Sequence, residues 1–411
     1  MTEKTRCFDN PMQHALVISC HNTGLGVIRA LGSNGIPIIA ISYDRNDIGQ
    51  VSKYCEARIA IPHPEKEESG FVNRLLSLAP RYAGGLIFPC DDESLGAVSR
   101  NYAILAKHFV PTYPEWETIR NIFQKHYTYQ IAQSIGIPHP RTLLADGERI
   151  DLDFIHEVGF PCLVKPTESH NYAKIFGKKL AKVGNLHELE RECKKAKAAG
   201  FRTMIQEFIP GPDSENINYN SYTIDSRVVV DFTAKKVRLS PPESGVPCVV
   251  RSQDIEEVKP YAAAILERIK YCGYSCMEFK RDPHDGKYKL LEINGRYNRS
   301  IALSLKCGVN FPLMHYRHIA QGRMPDREPF RKNIYWIDIA RDILAWIPYM
   351  KMKGHNPASI LAPYVRPHVF CDASINDMKP FLRRIQMLFL RAYRTVFRQF
   401  SGGHAHGTRN D

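Results

Sequence analysis

Apolar and polar positions fall into short repeating blocks from Ala15 onward. The run ALVIS reads as a buried strand, and the segment after Cys20 keeps apolar residues at helical spacing as far as Leu31. Gly35-Ile36-Pro37 then leads into the apolar residues 38–41. Strand, helix and strand in this order predict an open α/β unit. Blocks at 57–61, 71–78, 85–88 and 110–112 extend that unit, and residues 116–136 read as helical. Gly136-Ile137-Pro138-His139-Pro140 breaks the pattern and marks a boundary. Strand patterns then recur at 141–144, 160–166 and 203–209, with helical ones at 152–158, 185–199 and 258–269. Residues 274–279 and 290–296 flank a PHDG turn and predict an antiparallel hairpin.

Two helices are expected over 301–311 and 312–321, then a polar connection over 323–332. Residues 335–352 are apolar enough to pack on a core, and 356–371 read as irregular. Over 376–400 a helical projection puts Arg383, Arg384, Arg391, Arg394 and Arg398 on one face. Leu382, Ile385, Leu388, Phe389, Tyr393 and Val396 fall on the other. Such a helix docks internally, lies on a membrane surface, or meets a protein or RNA partner. Residues 1–13 read as a polar leader and 401–411 as a disordered tail.

Composition narrows the class. A chain of 411 residues with 44% hydrophobic content supports two or three globular domains. The formal charge of +13 suits phosphates, acidic substrates or an anionic surface. Eleven cysteines show no paired metal-binding spacing, so reduced structural thiols are expected. No apolar leader or spanning segment is read, which favours the cytoplasm with peripheral contact at the inner face of a membrane left open. No RNA-recognition motif accompanies the basic residues, and a nucleic-acid partner is not expected.

The candidate chemistry lies in the hairpin. Residues two apart on a strand share a face, so Glu292, Asn294 and Arg296 converge on one ligand, and Glu278 joins them from the facing strand. Two carboxylates and an amide suit magnesium, which takes hard oxygen ligands; an ordinary charged hairpin is the alternative. Lys165 ends an apolar strand, where its ammonium can reach a phosphate. The polar segment 167–179 after it can cover a nucleotide. Gln206, Glu207, Phe208 and Ile209 form an apolar strand end and turn able to support a flat base. Arg238 and Arg251 are candidates for an acidic substrate or a developing phosphate. Asp91, Asp92 and Glu93 follow the 85–88 strand, where they either touch a substrate or cap a helix.

The order of Lys165, Gln206-Glu207-Phe208-Ile209, Glu278 and Glu292-Ile293-Asn294-Gly295-Arg296 resembles the ATP-grasp superfamily over residues 15–325. Within it the chain is similar to carboxylate–amine ligases, and more narrowly to the D-aspartate ligase-like branch. The resemblance implies an α/β fold: a preATP-grasp open-sheet domain at 1–111 and an ATP-grasp lid and catalytic core at 112–325. A mostly helical extension at 326–400 and the tail at 401–411 would follow. It implies ATP phosphate contacts from Lys125, Lys165 and Lys179, and a base pocket at Gln206, Glu207, Phe208 and Ile209. A ribose contact falls to Glu215, with Asp213 as the alternative. Magnesium, or manganese in its place, would be held by Glu278, Glu292 and Asn294. Arg296, with Arg251, would stabilise charge at the reacting centre. The 167–179 loop departs from the more glycine-rich lid of many members.

The reaction so implied is phosphorylation of a substrate carboxylate by ATP, then displacement of phosphate by an amine to give an amide and ADP. Lid closure would keep water from the acylphosphate. Amino acids or peptides are the expected acid and acceptor, and a homo-oligomer is compatible with the sequence. Two other readings stay open here: a related enzyme using a thiol, ammonia or bicarbonate, and a nucleotide-binding scaffold held at a membrane by 379–400.

Overall fold

The computed structural model describes residues 12–401 except 146–149, 168–171, 173–174 and 353. Most of the polar leader and of the tail, and part of the 167–179 loop, therefore lie outside the described residues.

Five short apolar segments form the first sheet: β1 (Ala15–Ile18), β2 (Ile38–Ser42), β3 (Cys55–Ala60), β4 (Leu86–Pro89) and β5 (Val110–Pro111). All pair in parallel in the order β3-β2-β1-β4-β5. β1, β2 and β4 are fully buried, as strands covered on both faces must be. The order reverses between β1 and β4, so a crevice opens at the carboxyl ends of those two strands. His21 and the Asp91-Asp92 pair sit there, each at the start of the helix that follows its strand.

Strands β6 (Thr142–Ala145), β7 (Cys162–Pro166), β8 (Ala181–Val183) and β9 (Thr203–Glu207) form a small antiparallel sheet in the order β6-β9-β7-β8. The Leu186–Ala198 helix covers it with Leu189, Cys193 and Ala196, and Asn185 caps that helix.

The third sheet comprises β10 (Asn216–Ile224), β11 (Arg227–Ser240), β12 (Val246–Ser252), β13 (Gly273–Arg281), β14 (Tyr288–Asn294), β15 (Tyr335–Ile337) and β16 (His368–Phe370). Its order is β14-β13-β10-β11-β12-β15-β16, antiparallel except for the last pair. One apolar cluster runs from Val17, Ile28 and Phe88 of the first sheet's region to Tyr274, Met277, Ile301 and Phe311 around the third. The crevice and the β13–β14 hairpin are thereby packed against a shared core.

The carboxyl-terminal region is helical, with helices Ile339–Met350, Pro357–Val365 and Lys379–Ser401. It also gives two strands of three residues to the third sheet, one of them inside the stretch read as irregular. Segments this short carry too few alternations to stand out from a packed loop. Among the described residues no helix is long and apolar enough to cross a membrane.

Candidate active site

The hairpin register decides the centre of the site. Glu278 on β13 is the direct Cα partner of Glu292 on β14, and Asn294 faces Cys276. Two carboxylates placed opposite each other repel, so the arrangement needs cations. Lys236 of β11 supplies one: its Nζ donates to Glu278 Oε2 at 2.5 Å, and the side chain is 6% exposed. Lys125 supplies another, with Nζ 3.5 Å from Glu292 Oε1. Burial alone would raise the Glu292 carboxyl, but Lys125, Lys179, Lys165 and Arg296 outweigh it and hold it down to about 2. Asn218 of β10 stands opposite Glu278 in register, and its buried Oδ1 meets no donor among the described residues.

Lys165 arrives from the small sheet. Its Nζ donates to Gln206 Oε1 at 2.5 Å, and Gln206 Nε2 donates to Thr142 Oγ1 at 2.8 Å. Burial, then the nearby Lys125, lowers the Lys165 ammonium to about 8, while Glu292 and Glu278 pull the other way. Lys125 begins the Lys125–Ser134 helix. A cation there opposes the helix dipole, so its carboxylate neighbour matters to it. Lys179 is exposed and close enough to act on Glu292 electrostatically.

The hinge after β9 is internally braced. Glu207 Oε2 accepts from Arg141 N at 3.0 Å, Oε1 lies 3.3 Å from Lys289 Nζ, and the Glu207 N–H donates to Arg141 O at 2.9 Å. Lys182 Nζ stands 4.0 Å from the centre of the Phe208 ring, and Lys280 Nζ donates to Ile209 O at 2.9 Å. Of the two ribose candidates, Asp213 is buried and accepts from Glu243 N and the Tyr349 hydroxyl. Glu215 is half-buried and lies 3.3 Å from Lys235 Nζ. Asp213 is thus engaged inside the fold, while Glu215 keeps partial exposure.

Arg296 is reached from the first sheet. Its Nε and Nη2 donate to Asp92 Oδ1 and Oδ2, both at 2.9 Å. Asp91 caps the Asp92–Arg100 helix by accepting from Ser94 N at 2.9 Å, and it also accepts from the Tyr43 hydroxyl. Of the three acidic residues in that loop, Asp91 therefore has the capping role. A cavity of about 310 Å³ opens where the units meet, lined by Asp92, Glu93, Trp116, Lys125, Glu292 and Asn294 among others. Beside it, His63, Glu65 and Glu93 bring ligand atoms within 4.8 Å of one another.

Two arginines fall elsewhere. Arg238 is 1% exposed and bonds Asp342 through Nε at 2.7 Å and Nη2 at 2.8 Å, so it is a buried structural ion pair and not a substrate contact. Arg251 is the Cα partner of Lys235, one residue from Lys236, and strand alternation puts it on the sheet face opposite the carboxylates. Its Nη2 donates to Gln253 Oε1 at 2.7 Å. The arrangement does not bring Arg251 to the carboxylate pair.

Sequence patterning did not single out Lys236, Asn218 or the tie between Asp92 and Arg296. For Lys236 the obstacle is a bulge. Lys236 pairs with Val250 and Arg238 with Val249, so two residues that simple alternation would align project to opposite faces.

The donor set fits a hard divalent cation and a nucleotide. Glu278, Glu292 and Asn294 offer oxygens on adjacent strands, an unsatisfied Asn218 oxygen lies beside them, and ammonium groups from three elements converge on the same spot.

Residues 242–324 match the family model of the carbamoyl-phosphate synthase L chain, ATP binding domain. D-aspartate ligase of Enterococcus faecium (strain Aus0004) is 26% identical over 293 residues, 67% of this chain and 68% of that protein. D-alanine–D-alanine ligase B of Pseudomonas putida is 24% identical over 279 residues, 66% of this chain and 77% of that one. Among solved structures, the biotin carboxylase domain of Hydrogenobacter thermophilus 2-oxoglutarate carboxylase, in complex with MgADP, ADP and bicarbonate, superposes with a TM-score of 0.59 at 20% identity. The match covers 79% of this chain and 74% of that one. With a small antiparallel sheet, a larger one whose hairpin carries paired carboxylates, and an ATP-binding domain match over that hairpin, this chain is similar to ATP-grasp ligases.

Proposed function

We propose that this protein is an ATP-dependent carboxylate–amine ligase, joining a small carboxylic acid to an amine through an acylphosphate with release of ADP and phosphate. The observation that carries the reading is the Glu278–Glu292 pair facing Lys125, Lys165 and Lys236, drawn from the helical, lid and catalytic parts of the chain.

Glu278, Glu292 and Asn294 would hold Mg²⁺, which when bound neutralises phosphate charge and orders the reactants. The same oxygen donors accept Mn²⁺. Lys125, Lys165 and Lys179 bind the nucleotide phosphates as point charges. Lys236 orients the Glu278 carboxylate through its ion pair. The hinge from Gln206 to Ile209 carries the base, with Glu215 at the ribose. Arg296, oriented by Asp92, steadies negative charge on the reacting carboxyl group. Glu65 and Glu93, which line the same cleft, suit an acceptor bound as its ammonium and can take up the proton it must lose before the free amine displaces phosphate. Amino acids or short peptides are the acid and acceptor on this reading. The domain limits at 111 and 325 go with it, since the crevice of the first unit supplies one wall of the cleft.

Residence in the cytoplasm, with contact at the inner face of a membrane through 379–400, also belongs to this reading. The exposure of Leu382, Leu388 and Phe389 on that helix supports it. Side chains of Arg391, Arg394 and Arg398 lie outside the described residues.

The test is magnesium-dependent ADP release by purified protein over a matrix of acids and amines, with product masses determined. Turnover that needs one acid and one amine and yields their condensed mass is the expected result. Turnover with ammonia, a thiol or bicarbonate in place of an amine would reassign the acceptor. Tight ATP binding without turnover across the matrix would overturn the ligase reading.

A further inference from the structure

We propose that the cavity where the Ile339–Met350 and Lys379–Ser401 helices meet the parallel-sheet unit binds the phosphate headgroup of an anionic membrane lipid, while apolar side chains on those two helices enter the lipid interface. The inference rests on the reading that this face of the chain meets a membrane.

The cavity, about 350 Å³, has Arg299, Arg341, Arg384, Leu344 and Leu388 on one side and His21 and Asn46 of the parallel-sheet unit on the other, with no acidic residue in its lining among the described residues. Arg299 Nη2 and Arg384 Nη2 both donate to the buried Asp338 carboxylate at 2.6 Å, and Arg341 Nε lies 3.6 Å from it. Arg384 Nη1 also donates to Asp372 at 2.7 Å. Three guanidiniums thus share two carboxylates, which leaves one positive charge in excess. The buried Nε of Arg299 meets no acceptor among the described residues. Burial, then Arg299 and Arg384, lowers the Arg341 guanidinium from its ordinary value despite Asp338, as expected where cations crowd. A phosphate oxygen relieves both the crowding and the unmet donor.

The surroundings say which phosphate. Leu344 is 73% exposed, Ile347 69% and Phe389 71%, and Ile343, Met350 and Leu382 are exposed beside them. On the Ile339–Met350 helix, positions 343, 347 and 350 form one stripe, with 344 next to it at the cavity rim. A contiguous exposed apolar surface of this kind marks an interaction site. The Lys379–Ser401 helix carries Lys379 and five arginines with no acid, the pattern of a helix lying on an anionic leaflet. A free phosphate ion would use the arginines and leave the apolar rim in water. A phospholipid uses both.

Full-length protein is mixed with vesicles of phosphatidylcholine alone and of phosphatidylcholine with phosphatidylglycerol, and co-sedimentation is measured at physiological salt. The wild type is expected to prefer the phosphatidylglycerol vesicles. Arg341→Gln is expected to weaken that binding by about fivefold or more, the loss for one cation at the surface. Arg323→Gln, with the same change in net charge on an exposed connection, is expected to leave it unchanged. Ile347→Asp is expected to weaken binding to both vesicle types, and thermal midpoints report that each variant folds. Equal binding to both vesicle types, or equal losses in Arg341→Gln and Arg323→Gln, would overturn the headgroup pocket and leave the membrane contact standing. Binding to neither vesicle overturns both. Saturable binding of inorganic phosphate to Arg341 without any vesicle binding overturns the lipid assignment.

Discussion

Arg296 and Asp92 form a two-pronged ion pair across 204 positions of sequence, tying the end of the β13–β14 hairpin to the first residue of a helix in the parallel-sheet unit. Asp92 fixes where the guanidinium stands while the relative position of the two units is set by their shared core.

Asp92→Asn is therefore expected to lower kcat by about 10²-fold, the effect of a misplacement near 1 Å, with little change in KM for ATP. Steady-state kinetics in both substrates checks this. An unchanged kcat would make the pair purely structural.

Glu292→Gln removes one of the two facing carboxylates while keeping the side-chain shape. The magnesium concentration for half-maximal turnover is expected to rise by about tenfold or more. The fold should persist, because Glu292 is partly exposed at the cleft and its loss leaves no cavity. A magnesium titration of ADP release, with circular dichroism of the same sample, reports both effects. Equal magnesium dependence in variant and wild type would remove Glu292 from the metal set.

The Lys165 ammonium, lowered to about 8, gives nucleotide binding a pH dependence of definite sign. Below that value the free protein carries the charge that attracts phosphate. As pH rises through about 8 the proton leaves and ATP affinity should fall, by at most about tenfold per pH unit. Folding shows the reverse trend from the same group. The native state holds fewer protons there than the unfolded chain, so this lysine's contribution to stability rises with pH from about 8 towards its ordinary value. Titrating ATP binding in wild type and Lys165→Gln checks the first statement, since the variant should lose the step near pH 8.

Arg238→Met is expected to leave a lone buried carboxylate on Asp342 and to cost about 3–5 kcal/mol of stability. KM values should stay close to wild type wherever the variant is folded. Denaturant unfolding combined with kinetics separates the outcomes. Normal stability with a lost substrate would return Arg238 to the binding site.

Much of the centre was readable from neighbouring positions. Strand periodicity and the PHDG turn are local signals, and they sufficed for the hairpin, for Glu278 opposite Glu292, and for Lys165 at a strand end. The parallel unit was legible for the same reason, since each buried strand is a continuous apolar run. The 376–400 helix was legible as an amphipathic pattern. Its orientation was not. Arg384 turns inward to Asp338 and Asp372, while Leu382 and Phe389 remain exposed, the inverse of what apolar burial alone would dictate.

Sequence by itself determined the parallel unit, the carboxylate hairpin and the residue types gathered on its strands, because these follow from periodicities within a few positions. Tertiary structure alone decided which cations answer which carboxylates. A single extra residue at the β11 bulge sends Lys236 to Glu278 and Arg238 to Asp342. The packing of two units on one core brings Asp92 to Arg296. Both depend on register and on contacts between distant segments, which alternation along one strand does not encode.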